Sequence, residues 1–163
     1  MDTLGKEFNI TFDFYARKQA GWGHILHFMV GKTTPFQYGD RIPDIYYTSS
    51  MSTLRVYFDL DDKERQKEDI ANVTVNEWHR LEIVQYRNAD SYVHKIWLDG
   101  KLKYLTINTG PREFKNVRVY ATETSLSTRE WSQRYPPQAG QIRNLTVISG
   151  SMQGKRYDIF GIR

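Results

Sequence analysis

The chain has 163 residues, 39% hydrophobic and 14% aromatic, with 23 Lys and Arg against 19 Asp and Glu for a net charge of +4. That length suits one domain with one core, and its basic residues are scattered among acids rather than gathered into the stripe of a nucleic-acid binder. The absence of cysteine excludes disulfides and thiolate metal sites, and no run approaches the ~18 apolar residues of a membrane span.

The opening "MDTLGK" lacks the apolar core of a signal peptide, so an exported chain is expected here as a mature segment. Next comes "EFNITFDFYAR", residues 7–17. Phe8, Ile10, Phe12 and Phe14 alternate with Asn9, Thr11 and Asp13, the period of a half-buried strand. "HILHFMVG" from His24 reads as a second strand. On a regular strand the odd spacing of His24 and His27 sends them to opposite faces, so a shared zinc is not expected.

"YGDRIPDIYY", residues 38–47, leads into a third strand. Gly39 and Asp40 suit a turn, and Pro43 suits entry to an edge strand, with Arg41 paired to a carboxylate. Asp40 and Asp44 are also candidate calcium ligands, since carboxylates supply the hard oxygens that ion takes. Leu54, Val56, Phe58 and Leu60 then alternate with Arg55, Tyr57 and Asp59. Asp59 and Asp61 share a face, but the third acid of an E-x-D-x-E glycosidase strand is missing. Residues 61–70, "DDKERQKEDI", mix charges without an apolar stripe and read as an exposed loop or strand connection rather than a packed helix.

Further strands follow in "WHRLEIVQYR" from Trp78, "YVHKIWL" from Tyr92 and "KLKYLTIN" from Lys101. Asp99-Gly100 makes the last two a hairpin. Gln85, Tyr86, His94 and Tyr104 are the residue types of a polysaccharide lyase, although their spacing does not demand that arrangement. "NVRVYA" from Asn116 is another strand. The irregular stretch 123–140 carries Arg129, Trp131, Arg134 and Tyr135, flat apolar faces and directional donors suited to a sugar ring or a protein partner. After the strand "GQIRNLTVIS", the tail 150–163 ends in Tyr157, Ile159, Phe160 and Ile162, a docked extra strand or a segment that joins a neighbouring chain. Sequons at Asn9, Asn72 and Asn144 fit an exported glycoprotein; Asn144 shares its nominal face with Ile142 and Ile148, which argues against a glycan there.

About nine strands and no long amphipathic helix indicate an all-β antiparallel two-sheet sandwich or jelly roll. In order, "LGKEFNITFDFYAR", "HILHFMVG", "YGDRIPDIYY", "EWHRLEIVQ", "KIWLDGKL", "REFKNVRVYAT" and "PPQAGQIRNLTV" resemble the laminin-G-like modules of the concanavalin A-like lectin and glucanase superfamily, chiefly those of secreted animal proteins. The resemblance covers residues 4 to 149 and implies a jelly-roll domain over 1–149 with the tail beyond it. It also implies an extracellular location, relatives that bind glycans or protein ligands or degrade polysaccharides, and calcium at the sandwich rim. The connection through "ETSLSTREWSQR" is longer than in the resembled modules.

The expected function is therefore secreted, non-catalytic recognition of a glycan or extracellular protein through the end loops, as in a lectin or cell-adhesion module. The alternatives are a structural, self-associating module and a polysaccharide-degrading enzyme.

Overall fold

The computed structural model describes residues 1–16, 23–30, 38–48, 53–61, 63–121, 141–150 and 155–159, and the side chains of all of these except 63–65 and 155–159. The strands among them are β1 (Thr3–Leu4), β2 (Phe8–Ala16), β3 (Gly23–Met29), β4 (Asp44–Tyr47), β5 (Thr53–Leu60), β6 (Lys63–Asn72) and β7 (Glu77–Asn88). They continue with β8 (Ser91–Leu98), β9 (Lys101–Asn108), β10 (Phe114–Lys115), β11 (Arg118–Ala121), β12 (Gln141–Ser149) and β13 (Lys155–Ile159). One sheet runs β11-β3-β4-β5-β6 and the other β13-β12-β2-β7-β8-β9, with a small β1-β10 pair beside them. The pairings between these strands are antiparallel. The fold is the all-β two-sheet sandwich the alternation predicts.

The core lies between the two large sheets. From the six-stranded sheet come Ile10, Phe12, Phe14, Leu81, Ile83 and Ile96; from the five-stranded sheet come Leu26, Phe28, Ile45, Leu54, Val56 and Phe58. Each such side chain contributes roughly 1.5–3 kcal/mol by leaving water, which is what holds the sheets face to face. The β8–β9 hairpin turns at Asp99 and Gly100, with φ of 51° and 73°, the left-handed pair that a two-residue turn requires.

Four local expectations are corrected. Strand β4 is the central strand of its sheet, not an edge; Pro43 is accommodated because it lies one residue before the strand, where its missing N–H breaks no ladder bond. Residues 63–72 form strand β6, not a loop. Its charge suits an edge strand, where exposed Lys67 and Asp69 face water while Ile70 is buried.

The other two corrections come from β-bulges. The β3–β4 register shifts between His24 and Leu26, so His24 opposes Tyr46 and His27 opposes Asp44. Tyr46 and Asp44 are two apart on β4 and share a face, so the two histidines share it too, while Ile25 and Leu26 both enter the core. The second bulge, between Arg143 and Thr146 on β12, leaves Asn144 exposed at φ 55° while Ile142, Leu145 and Val147 stay buried. Asn144 therefore does not lie on the core face. In the tail, β13 pairs with β12 and forms one edge of the six-stranded sheet.

Candidate functional site

The polar and aromatic residues of the five-stranded sheet collect on its outer face in two rows across the strands. One row runs Tyr120, His27, Asp44, Tyr57 and Lys67, from β11 to β6; the next runs His24, Tyr46, Arg55 and Asp69. Directly paired residues have close Cβ atoms, so each row is a line of touching side chains. Tyr46 and Tyr57 stack with centroids 5.2 Å apart and a 19° interplanar angle, His24 lies 5.4 Å from Tyr46, and His24 and His27 stack at 6.2 Å. Arg41 places its guanidinium 4.2 Å above the Tyr57 ring.

His24, His27, Arg41, Asp44 and Tyr46 are buried and form the floor of this face. Tyr57 and Tyr120 are half-buried and stand on either side of it, and Lys67 and Asp69 are exposed beyond Tyr57. Three strand spacings separate β11 from β5, a span of ~14 Å.

The electrostatics centre on Asp44. Burial disfavours its charged form, but His27, His24 and Arg41 outweigh that effect and hold the carboxyl down at about 2. Its Oδ2 is 3.6 Å from Arg41 Nε, and its Oδ1 is 3.3 Å from His24 Nδ1. Burial raises the Tyr46 phenol, reinforced by its hydrogen bond to Tyr57 and by Asp44. Burial pushes Tyr57 the same way, but the hydrogen bond from Tyr46 and the charges of Arg41, Lys67 and Arg55 reverse it, so that phenol is shifted downward. At the end of the row Arg55 makes a two-point contact with Asp69, Nε to Oδ1 at 2.5 Å and Nη2 to Oδ2 at 2.8 Å.

Asp44 and Arg41 do pair, while Asp40 meets His27 through its backbone carbonyl, 2.5 Å from Nε2. Beside Asp44 the structure places imidazoles and a guanidinium, a setting poorly matched to calcium's oxygen shell.

Of the four residues of lyase type, Gln85, His94 and Tyr104 come together, and Tyr86 stands apart from them. Gln85 and His94 are paired and face inward, where Gln85 bonds the Lys6 carbonyl and Asn108. Tyr104 is near His94, ring centroids 6.5 Å apart, whereas Tyr86 accepts a bond from Lys95 Nζ at 2.9 Å. Asp59 accepts the Gly39 N–H at 2.7 Å, and Asp61 accepts from the backbone and hydroxyl of Thr109, so both tie loops together. Asn9 donates to Glu82 and accepts from Thr11, exposed Asn72 accepts from Thr53, and exposed Asn144 donates to Asp13. Arg129, Trp131, Arg134 and Tyr135 lie outside the described residues.

The outer-face cluster as a whole escaped the sequence reading. Its signal was the apolar pair Ile25-Leu26 between two histidines, a pattern that regular alternation cannot satisfy and a bulge can.

No family model and no curated protein matches the chain. Among solved structures it is similar to a native heptameric SAP-like pentraxin from Limulus polyphemus, with a TM-score of 0.57 and 11% identity over 99% of this chain and 84% of that one. It is also similar to an alginate lyase from Alteromonas sp. 272, with a TM-score of 0.51 and 10% identity over 97% of this chain and 73% of that one. A sialidase gives a TM-score of 0.51 and 16% identity over 91% of this chain, which spans only 14% of the sialidase's length. At these identities the likeness shows the fold alone, a jelly-roll sandwich.

Proposed function

We propose that this is an exported, non-catalytic, laminin-G-like recognition module that binds a glycan on the outer face of the five-stranded sheet. The observation that carries the reading is the row from Tyr120 to Tyr57: two half-buried aromatic rings flank a floor of imidazole, carboxylate and guanidinium groups. A sugar stacks its C–H face on such rings, and the exposed Lys67 and Asp69 beyond Tyr57 offer a donor and an acceptor for its hydroxyls. Support of a second kind comes from the names of two proteins that share the fold, an alginate lyase and a sialidase, both of which are named for action on sugars. The test is a glycan array followed by calorimetry with the best hit. Binding that falls at least tenfold in Tyr57→Ala supports the reading; no binding to any glycan removes it.

A self-associating module is the second reading, favoured by Leu102, Leu105 and Ile107, which are 44%, 52% and 41% exposed along the edge strand β9. Exposed apolar residues on an edge strand invite pairing with another copy. Sedimentation decides it: a strict monomer at high concentration rules this reading out.

A further inference from the structure

We propose that His24, His27 and Asp44 form a mononuclear site for a divalent transition ion of the zinc class. A donor atom from each lies within 4.8 Å of the other two, and all three residues are buried. The bulge on β3 brings the histidines to one face, opposite Asp44 and Tyr46.

The 3.3 Å separation of His24 Nδ1 and Asp44 Oδ1 is itself informative. It is longer than an ordinary N–H···O bond: His24 is the neighbour that Oδ1 meets, yet the buried oxygen receives no hydrogen bond of good geometry among the described residues. Two ligands each ~2.05 Å from a tetrahedral ion stand ~3.3 Å apart, so the pair already has the spacing of two zinc ligands. A buried carboxylate oxygen held only by a long contact is costly, and a cation between it and His24 removes that cost.

His27 is prepared in the same sense. The Asp40 carbonyl accepts from its Nε2 at 2.5 Å, which fixes the proton there and leaves the lone pair of the neutral ring on Nδ1. A carbonyl on the other ring nitrogen is the usual way a ligating histidine is oriented. Two imidazoles and one carboxylate select a zinc-like ion over calcium, and three protein ligands leave a fourth position for water or an oxygen of a bound molecule. Arg41 approaches the other oxygen, Oδ2, at 3.6 Å, so it competes for the charge of Asp44 without occupying the same atom.

The test uses the full chain, stripped with chelator and dialysed against zinc chloride or calcium chloride. Bound metal is counted and the imidazole nitrogens are followed by NMR. The expected result is one zinc per chain, with the ring resonances of His24 and His27 shifting. His79, whose nitrogens are held by Asp99 and Thr74, and His94 serve as unshifted controls. Asp44→Asn and His24→Gln lose the zinc, and calcium produces none of these changes. Absence of retained zinc, or zinc retained with His24 and His27 unmoved, overturns the proposal. Because the unsubstituted protein gives that answer, a variant that fails to fold does not obscure it. Glycan binding is measured separately in chelator, so either reading can fail alone.

Discussion

His94 should make the fold acid-sensitive. It is 1% exposed, surrounded by the rings of Phe8, Phe58 and Tyr104, and neither ring nitrogen has a hydrogen-bond partner among the described residues. The pocket it lines also holds Gln85, Asn108, Asp59 and Arg112; the Asp59 carboxylate is engaged by the Gly39 amide. Burial pushes the imidazole from 6.5 down to about 4. In that window the unfolded chain takes up a proton and the folded chain does not, so stability is full above pH ~6.5 and is lost as pH falls toward 4. At ~1.4 kcal/mol per pH unit the whole loss is ~3 kcal/mol, of which ~2 kcal/mol falls between pH 7.5 and pH 5. His94→Phe keeps an aromatic ring in the cage and removes the proton site. Urea unfolding of both proteins at the two pH values should show the extra ~2 kcal/mol loss only in the unsubstituted chain. The difference between the two slopes isolates His94 from the other histidines. Parallel slopes would refute the reasoning, whatever the absolute cost of the substitution.

Two further changes test the packing. Phe28→Ala removes a fully buried ring from the sheet–sheet core and should cost 3–5 kcal/mol, roughly, in urea unfolding at neutral pH. A loss under ~1 kcal/mol would mean the sheets do not meet there. Gly39→Ala forces a side chain into φ +95° with its Cβ 3.4 Å from Phe114, and should destabilise by ~1–2 kcal/mol in the same assay. A neutral result would contradict that turn geometry.

How far the sequence carried depended on where alternation holds. Along β2, β5 and β7 the period is unbroken, so Phe12, Val56 and Ile83 are core residues on their spacing alone. At His24 and Asn144 it fails for one reason: a bulge inserts a residue and reverses the facing of everything beyond it. Spacing therefore separates His24 from His27, although the fold stacks them, and gives Asn144 to the core although it is exposed. The central position of β4 was hidden differently, because order within a sheet depends on which strands pair across long separations. Proline marks where a strand begins without saying what lies beside it. Strand β6 was missed because an edge strand needs only a few buried residues, and Ile70 with half-buried Ala71 is too short a run to show a period.

The central claim is that the outer face of the five-stranded sheet is the ligand face. Its most direct test is a backbone-amide NMR titration with the glycan selected on the array. Shifts are expected to concentrate in β3, β4, β5 and β11, around His24, Asp44, Tyr57 and Tyr120, with the six-stranded sheet unmoved. Saturable binding whose shifts fall on β7, β8 and β9, or on residues 123–140 alone, would contradict it.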